Sequence, residues 1–346
     1  MKRLILLSSL FTLHLMVCLA QTAQENYRKA WEAMDAKNYA QAISYYEKAA
    51  NQGLVDAQFD LATCYYWGEG VTKNLQKAVY WFEKAANQGD MEAQRHLGYC
   101  YYSGEGVAKN AQKAAYWFEK AANQGDMDSQ YELALFYGNG EGVAKNLQKA
   151  VYWYEKAANQ GDSHAQYNLA ICYEDGEGVA KDLQKAAYWF EKAANQGDMD
   201  AQRELGCCYY YGEGVTKNVQ KAVYWFEKAA NQGDMDAQYE LGVFLRDGEG
   251  VTKDLQKAVY WYEKSANQGN RSAQYNLAIC YEDGKGVAKN LQKAAYWYEK
   301  AATQEHANAQ YNLSLLYKKG GEGLARDTQK ADYWMKKYEA NPDKKD

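Results

Sequence analysis

The chain has 346 residues, with 40 Lys and Arg against 45 Asp and Glu for a formal net charge of −5, one proline and 28 glycines. The mildly acidic balance disfavours a nucleic-acid partner. Abundant Ala, Lys, Glu, Gln and Leu, with glycines at regular intervals, describe helices with periodic stops and exclude a disordered chain.

The first twenty residues differ from the rest. Lys2 and Arg3 precede an apolar run from Leu4 to Leu19, interrupted by Ser8, Ser9, Thr12 and His14 and closing at Cys18-Leu19-Ala20. This pattern predicts a cleavable signal peptide over 1–20, with Gln21 as the first mature residue and a secreted or periplasmic product. The run falls short of the ~20 residues a spanning helix needs, so no transmembrane segment is expected in the mature chain. Val17 is larger than the residue that usually precedes a lipidated cysteine. Without Lys2 and Arg3, the 40 basic residues become 38 against 45 acidic, a charge of about −7.

Residues 21–56 form the next segment, in which Tyr27 to Ala50 reads as a helix pair capping the N-terminal end of a repeat array, with Tyr45 where later units carry Trp. From Ala57 the chain repeats every 36 residues. Val71, Val107, Val143, Val179, Val215, Val251 and Val287 each close a Gly-x-Gly-Val turn, and Trp81, Trp117, Trp153, Trp189, Trp225, Trp261 and Trp297 come ten residues later. A period of this size means stacked supersecondary units, here eight over 57–346 (57–92, 93–128, 129–164, 165–200, 201–236, 237–272, 273–308 and 309–346).

One unit shows the grammar. Ala57 to Trp67 reads as a first helix, with Ala57, Leu61, Cys64 and Tyr65 on one stripe, and Gly68 stops it. Asn74 is a natural N-cap for a second helix, and Asn110, Asn146, Asp182, Asn218, Asp254, Asn290 and Asp327 hold the same place. The second helix, Leu75 to Ala86, puts Leu75, Ala78, Val79, Phe82, Ala85 and Ala86 on its stripe with Trp81 beside it, so the aromatic pair reads as core. Gly68-Glu69-Gly70-Val71 lacks the preceding strand and Lys-Ser/Thr of a phosphate loop and reads as a helix–helix turn.

Five of the six cysteines after Cys18 (Cys64, Cys100, Cys172, Cys208, Cys280) share one repeat position with Phe136, Phe244 and Leu316, which marks an apolar contact site. Equivalent helices ~8–10 Å apart are too distant for structural disulfides, and Cys207-Cys208 could form only a strained vicinal bridge. His96, His164 and His306 occupy three different repeat positions, so no metal-ligand spacing appears. A second period of 108 residues overlies the first: Ala165 to Gly176 recurs unchanged as Ala273 to Gly284, and the block 93–200 reads as copied to 201–308.

The recurring Ala57-Gln58, Leu61-Ala62, Tyr65, Gly68-Glu69-Gly70-Val71, Asn74, Lys77-Ala78, Trp81, Lys84-Ala85-Ala86 and Gly89 resemble the Sel1-like repeat family, a relative of the tetratricopeptide repeats. The resemblance implies an all-α fold, an α/α superhelical solenoid, with a tetratricopeptide-like pair as its N-terminal cap. The last unit departs, since Gly320-Gly321 adds a residue, Leu324 replaces Val, and Trp334 comes 37 residues after Trp297. Aligned with the tetratricopeptide pattern, the first unit's inward set becomes Asp56, Phe59, Thr63, Tyr66 and Trp67.

Along the chain, the Phe59 position reads Phe59, Arg95, Tyr131, Tyr167, Arg203, Tyr239, Tyr275, Tyr311, a ladder of aromatic and guanidinium groups suited to anchoring an interface. Near the helix ends lie Tyr66, Trp67, Tyr102, Glu174, Asp175, Tyr210, Tyr211, Arg246, Asp247, Glu282 and Asp283. Carboxylates in a last turn face the unfavourable end of the helix dipole and need a compensating cation or a use.

The first expectation is therefore an exported, non-enzymatic scaffold that binds a protein or peptide ligand along a concave first-helix groove, with no cofactor, metal or catalytic residue. A cell-wall or surface glycan stacked on the tyrosines is the alternative. A hydrolase of the Cys-rich Sel1-like type ranks last, because the paired cysteines of each repeat and a Ser-x-x-Lys motif are missing.

Overall fold

Asn74 shows how each hairpin begins its second helix. Its backbone is extended and its side chain accepts a hydrogen bond from the Lys77 amide at 2.9 Å, satisfying one of the donors that a helix start leaves open. Asn110, Asn146, Asp182, Asn218, Asp254, Asn290 and Asp327 cap their helices in the same way. First helices start from Asp90, Asp126, Asp198, Asp234 and Asn270 with the same bond, and from His306 in the last repeat. Gly68 ends the first helix of its hairpin in the left-handed conformation (φ 80°), donating to the Cys64 carbonyl.

The structure, a computed structural model, describes residues 2–344, with side chains from Leu19 onward. The segment assigned to export therefore lies almost wholly outside the residues with described side chains. Its backbone from Lys2 belongs to α1 (Lys2–Asp35), which pairs with α2 (Tyr39–Asn51). Then come α3 (Val55–Trp67) with α4 (Leu75–Asn87), α5 (Met91–Ser103) with α6 (Ala111–Asn123), and α7 (Met127–Asn139) with α8 (Leu147–Gln160). The later helices are α9 (Ser163–Asp175), α10 (Leu183–Asn195), α11 (Met199–Tyr211), α12 (Val219–Gln232), α13 (Met235–Asp247), α14 (Leu255–Asn267), α15 (Arg271–Asp283), α16 (Leu291–Thr303), α17 (Ala307–Lys319) and α18 (Thr328–Glu339). Among the described residues the one strand-like contact is a bridge between Gly321 and Leu324, made by the residue added in the last turn. None of the described helices is long and apolar enough to cross a membrane.

The chain divides into two compact units, Met1–Ala165 with Glu177–Ala180, and Gln166–Gly176 with Lys181–Asp346. Within each, a hairpin packs its second helix on the first helix of the next hairpin: α2 on α3, α4 on α5 and α6 on α7 in the first unit, α10 on α11, α12 on α13, α14 on α15 and α16 on α17 in the second. The expected all-α solenoid architecture of helix-turn-helix repeats holds in each unit.

The expected stripes are the core apart from Leu75, which is partly exposed at the start of its helix. Ala57, Leu61, Cys64 and Tyr65 are buried on α3; Ala78, Val79, Trp81, Phe82, Ala85 and Ala86 are buried on α4. Burial of Trp81 and Phe82 removes on the order of 150–250 Å² each from water and dominates the hydrophobic stabilisation of the hairpin. The second glycine of each turn has a steric reason. A Cβ on Gly106 (φ 73°) would lie 2.3 Å from the Leu75 carbonyl oxygen, so the turn of one repeat presses against the start of the second helix before it.

Between repeats the contact is polar as well as apolar. Buried Gln94 donates to the Ala86 carbonyl (3.0 Å), while its own carbonyl oxygen accepts from Gln124 (2.8 Å), whose amide also reaches the Gly89 carbonyl (2.9 Å). Gln58 with Gln88, Gln130 with Gln160, Gln202 with Gln232, Gln238 with Gln268 and Gln274 with Gln304 repeat the pair. In the last repeat Asn341 takes the place of the second glutamine, donating to Gln310 (3.0 Å) and the Glu305 carbonyl (2.8 Å).

Candidate functional site

Each aromatic rung of the expected ladder rests on a ring of its own second helix. In the first unit Phe59 lies 5.9 Å from Phe82 and Tyr131 6.0 Å from Tyr154. In the second, Tyr167 meets Phe190 (5.8 Å), Tyr239 meets Tyr262 (6.2 Å), Tyr275 meets Tyr298 (5.8 Å) and Tyr311 meets Tyr338 (5.1 Å). Phe82, Phe190, Tyr262 and Tyr298 are fully buried, whereas the rungs above them are more exposed and Tyr311 is exposed outright. A ring held from below and open above offers apolar area at little further entropic cost.

The residue after each rung is a second ladder that sequence reasoning missed: Asp60, His96, Glu132, Asn168, Glu204, Glu240, Asn276 and Asn312. Asp60, Glu132, Glu204 and Glu240 are half-buried, and Asn276 is buried. Burial pushes the carboxyls of Asp60, Glu132, Glu204 and Glu240 above their usual value. Hydroxyls from the preceding hairpin answer two of them: Tyr27 donates to Asp60 (2.9 Å) and Tyr99 to Glu132 (3.2 Å). Tyr27 rests on buried Tyr46 (6.0 Å), so the capping pair contributes a rung of its own. Below it Trp31, Tyr39, Tyr46, Asp60 and Thr63 line a cavity of about 470 Å³.

The two arginine rungs are clamped by carboxylates. Arg95 donates to Asp126 and Asp128 at 2.9 Å each and to Glu92 at 2.5 Å. Arg203 donates to Glu204 at 2.7 Å and has Asp236, Asp200 and Asp234 at 3.5, 3.7 and 4.0 Å. Each guanidinium therefore sits among more negative charge than it carries, and what it presents outward is a neutralised, planar surface. Two of the partners in each case come from 31 to 33 residues later, Asp126 and Asp128 for Arg95 and Asp234 and Asp236 for Arg203.

At the helix ends the expected residues fall into two kinds. Tyr66, Tyr102 and Tyr210 each lie under a turn lysine, Lys73, Lys109 and Lys217, at 5.5, 5.1 and 5.0 Å from the ring centre. Trp67, 67% exposed, and Tyr211 project beside Tyr66 and Tyr210 with ring centres 4.8 and 5.0 Å apart. The carboxylates are mostly answered: Asp247 by Arg246 (2.7 and 2.8 Å), Asp283 by Lys285 (2.8 Å), and Glu282 by the Tyr298 hydroxyl (2.7 Å). Arg246 holds the Asp247 carboxyl below its usual value. Glu174 is different: burial, with Glu204, Asp175 and Glu213 around it, raises it, while Asp175 itself is exposed.

None of the six cysteines after Cys18 forms a disulfide. Cys207 occupies the Thr63 position on the first-helix face, where burial pushes its thiol up to about 12, far from the thiolate that nucleophilic chemistry needs. Among the described residues no group of His, Cys, Asp and Glu is arranged to hold a metal ion. His96 stacks on Phe82 (5.0 Å, interplanar angle 1°) and burial lowers its pKa.

Repeated hairpins, a shared buried ring and a variable first-helix face define the chain as an α/α repeat protein. The Sel1 repeat profile matches nine segments, 35–54, 55–90, 92–126, 128–162, 163–198, 200–234, 236–270, 271–306 and 307–337. The chain belongs to the Sel1 repeat family, whose members generally mediate protein–protein interaction and are generally not enzymes. The 35–54 match lies mostly within the capping pair. Among solved structures, a protective antigen of uropathogenic Escherichia coli with an SLR fold is 36% identical over 94% of this chain and 71% of its own, with a TM-score of 0.85. A Sel1 repeat protein from Oxalobacter formigenes is 33% identical over 88% of this chain and 90% of its own, with a TM-score of 0.67. A comparison with curated proteins yields no match.

Proposed function

We propose that the protein is an exported, non-enzymatic scaffold that holds a peptide or protein partner along the first-helix face of its repeats. The observation that carries this reading is the paired ladder: half-buried rings and neutralised arginines at the Phe59 position, beside carboxylates at the Asp60 position that burial holds above their usual value. A carboxylate in that state gains from a donor brought by a ligand, and a half-covered tyrosine gains from the remaining apolar cover. A polypeptide with basic or amide-bearing side chains between apolar ones fits both demands.

The test is capture of partners by the protein and by a variant carrying Tyr239→Ala and Tyr275→Ala. These rings are not part of the fully buried core, so the hairpins persist while the rungs disappear. Loss of bound protein from the variant supports the reading; equal capture by both, or binding that survives removal of all protein and is retained on a glycan array, rejects it. Export is checked by sequencing the N-terminus of the secreted product, which should begin at Gln21.

A further inference from the structure

The capping pair leaves open a space that the next hairpin fills with its own side chains. Asn26 pairs with Gln52 as Gln58 pairs with Gln88, and Tyr27 rests on Tyr46 as Phe59 rests on Phe82. Trp31 and Met34 therefore hold on α1 the places that Thr63 and Tyr66 hold on α3. One hairpin on, His96 lies flat against Phe82 (5.0 Å, interplanar angle 1°) and beside Tyr66 (6.3 Å), whose hydroxyl donates to Glu105. The matching places of the capping pair hold Asp60, Tyr46, Met34 and Glu69. A carboxylate stands for the imidazole and a thioether for the phenol, and neither has a proton to give Glu69. What remains is the open cavity of about 470 Å³.

Its wall combines negative charge with uncovered aromatic surface. Asp35, Asp60 and Glu69 reach it from the end of α1, from α3 and from the turn after α3, beside the exposed rings of Trp31 and Tyr39. Tyr27 donates to one oxygen of Asp60, and among the described residues no cation pairs with any of the three carboxylates. Lys37 also lines the cavity but is exposed and forms no ion pair among those residues. Tyr46, only 3% exposed, adds a hydroxyl that has no hydrogen-bond partner among the described residues. Burial, with the charges of Asp60 and Glu69, pushes the pKa of that hydroxyl up and keeps it protonated.

We propose that this cavity of the capping pair receives the guanidinium of an arginine side chain carried by the bound polypeptide. A guanidinium has five N–H donors in a plane, enough to serve Asp60, Glu69 and the Tyr46 hydroxyl oxygen together, and its face stacks on rings such as Trp31 and Tyr39. It supplies what His96 and Tyr66 supply one hairpin on, a flat group and a donor for the turn glutamate. A lysine ammonium brings the charge without the plane or the spread of donors. Asp60 and Thr63 belong to the first-helix face, so the cavity opens beside the ladder. This deepens the scaffold reading by naming one feature of the partner, and it rests on that reading only in taking the ligand to be a polypeptide.

The experiment titrates the full protein with the capped tripeptide acetyl-Gly-Arg-Gly-amide and monitors the Trp31 indole and the backbone amides of Thr63 to Glu69 by NMR. Acetyl-Gly-Lys-Gly-amide and acetyl-Gly-Gln-Gly-amide serve as comparison. The Arg peptide is expected to shift these resonances saturably, the Lys peptide to bind more weakly and the Gln peptide not to bind. Asp60→Asn, which keeps an acceptor for Tyr27, is expected to weaken the fitted affinity about tenfold. Met34→Tyr combined with Asp60→His installs the pair that fills the matching place one hairpin on, and is expected to remove the response. An unchanged affinity in Asp60→Asn, an equal response to the Gln peptide, or a Lys peptide that binds as tightly as the Arg peptide overturns the proposal. A flat titration beside intact, ladder-dependent partner capture overturns it while leaving the scaffold reading standing. Arginine-selective binding beside capture that ignores the ladder supports the cavity and rejects that reading.

Discussion

The outer face of the second helices and the exposed face of the first helices are both rich in tyrosine, and they behave differently. On the second helices Tyr80, Tyr116, Tyr152, Tyr188, Tyr224, Tyr260 and Tyr296 are each about half exposed, 50–52%. Each sits edge-on to the adjoining tryptophan, at 4.9–5.0 Å, and under a lysine of its own helix, as Lys84 lies 5.5 Å from the Tyr80 ring centre. These rings are served within their own hairpin and recur unchanged. On the first helices polar groups are completed by the next hairpin, as Tyr99 is by Glu132, or are left open, and there the residues vary. Where a side chain is satisfied locally it belongs to the scaffold; where it depends on a neighbour it can be tuned for a partner.

The contrast breaks most forcefully below the rungs. Phe190→Ala removes a fully buried ring under Tyr167 and is expected to cost about 3–5 kcal/mol, measured as a shift of the urea unfolding midpoint of the second unit. Gln94→Ala strips a buried partner from Gln124 and from the Ala86 carbonyl and is expected to cost about 1–3 kcal/mol in the same measurement on the first unit.

The acid rungs sharpen the comparison through pH. Because burial raises Glu132 in the folded protein, the folded state binds that proton more tightly than the unfolded chain. Its ionised form therefore weakens folding above the raised pKa, and this penalty fades as pH falls through that value towards the ordinary carboxylate range. Glu132→Gln keeps an acceptor for Tyr99 and is expected to raise the melting temperature at neutral pH, with the gain vanishing in acid. A gain that grows on acidification would contradict the assignment. The smallest effect is expected from Tyr224→Ala on the outer face, within about 0.5 kcal/mol and with partner capture unchanged, read from the melting temperature and the capture assay together.

Most of the hairpin is legible in the sequence, because its rules are local. The caps at Asn74 and Gly68, the stripe through Leu61 and Tyr65 and the buried Trp81-Phe82 pair come from periodicity and backbone preference alone. The rung position at Phe59 is equally readable from the period. What stayed hidden is what crosses from one repeat to another. The Asp60 ladder lies one residue beyond the aligned position, and its environment depends on Tyr27 and Tyr99 reaching it from the preceding hairpin. The clamping of Arg95 depends on Asp126 and Asp128, more than thirty residues away, and Gln58 reaches the Ala50 carbonyl across a buried contact between repeats. A sequence pattern within one period carries no record of such contacts.

The amide pairs also govern how such a protein can change length. Gln94 takes its acceptor from the hairpin before it and lends its own oxygen to Gln124 at the far end of its own, so excision or duplication of a whole period rejoins complementary ends and leaves no orphaned amide. Asn341, one methylene shorter, completes the same pair at the far end of the last hairpin. Growth by copying is thus open at interior hairpins, which makes the number of repeats an easily inherited variable.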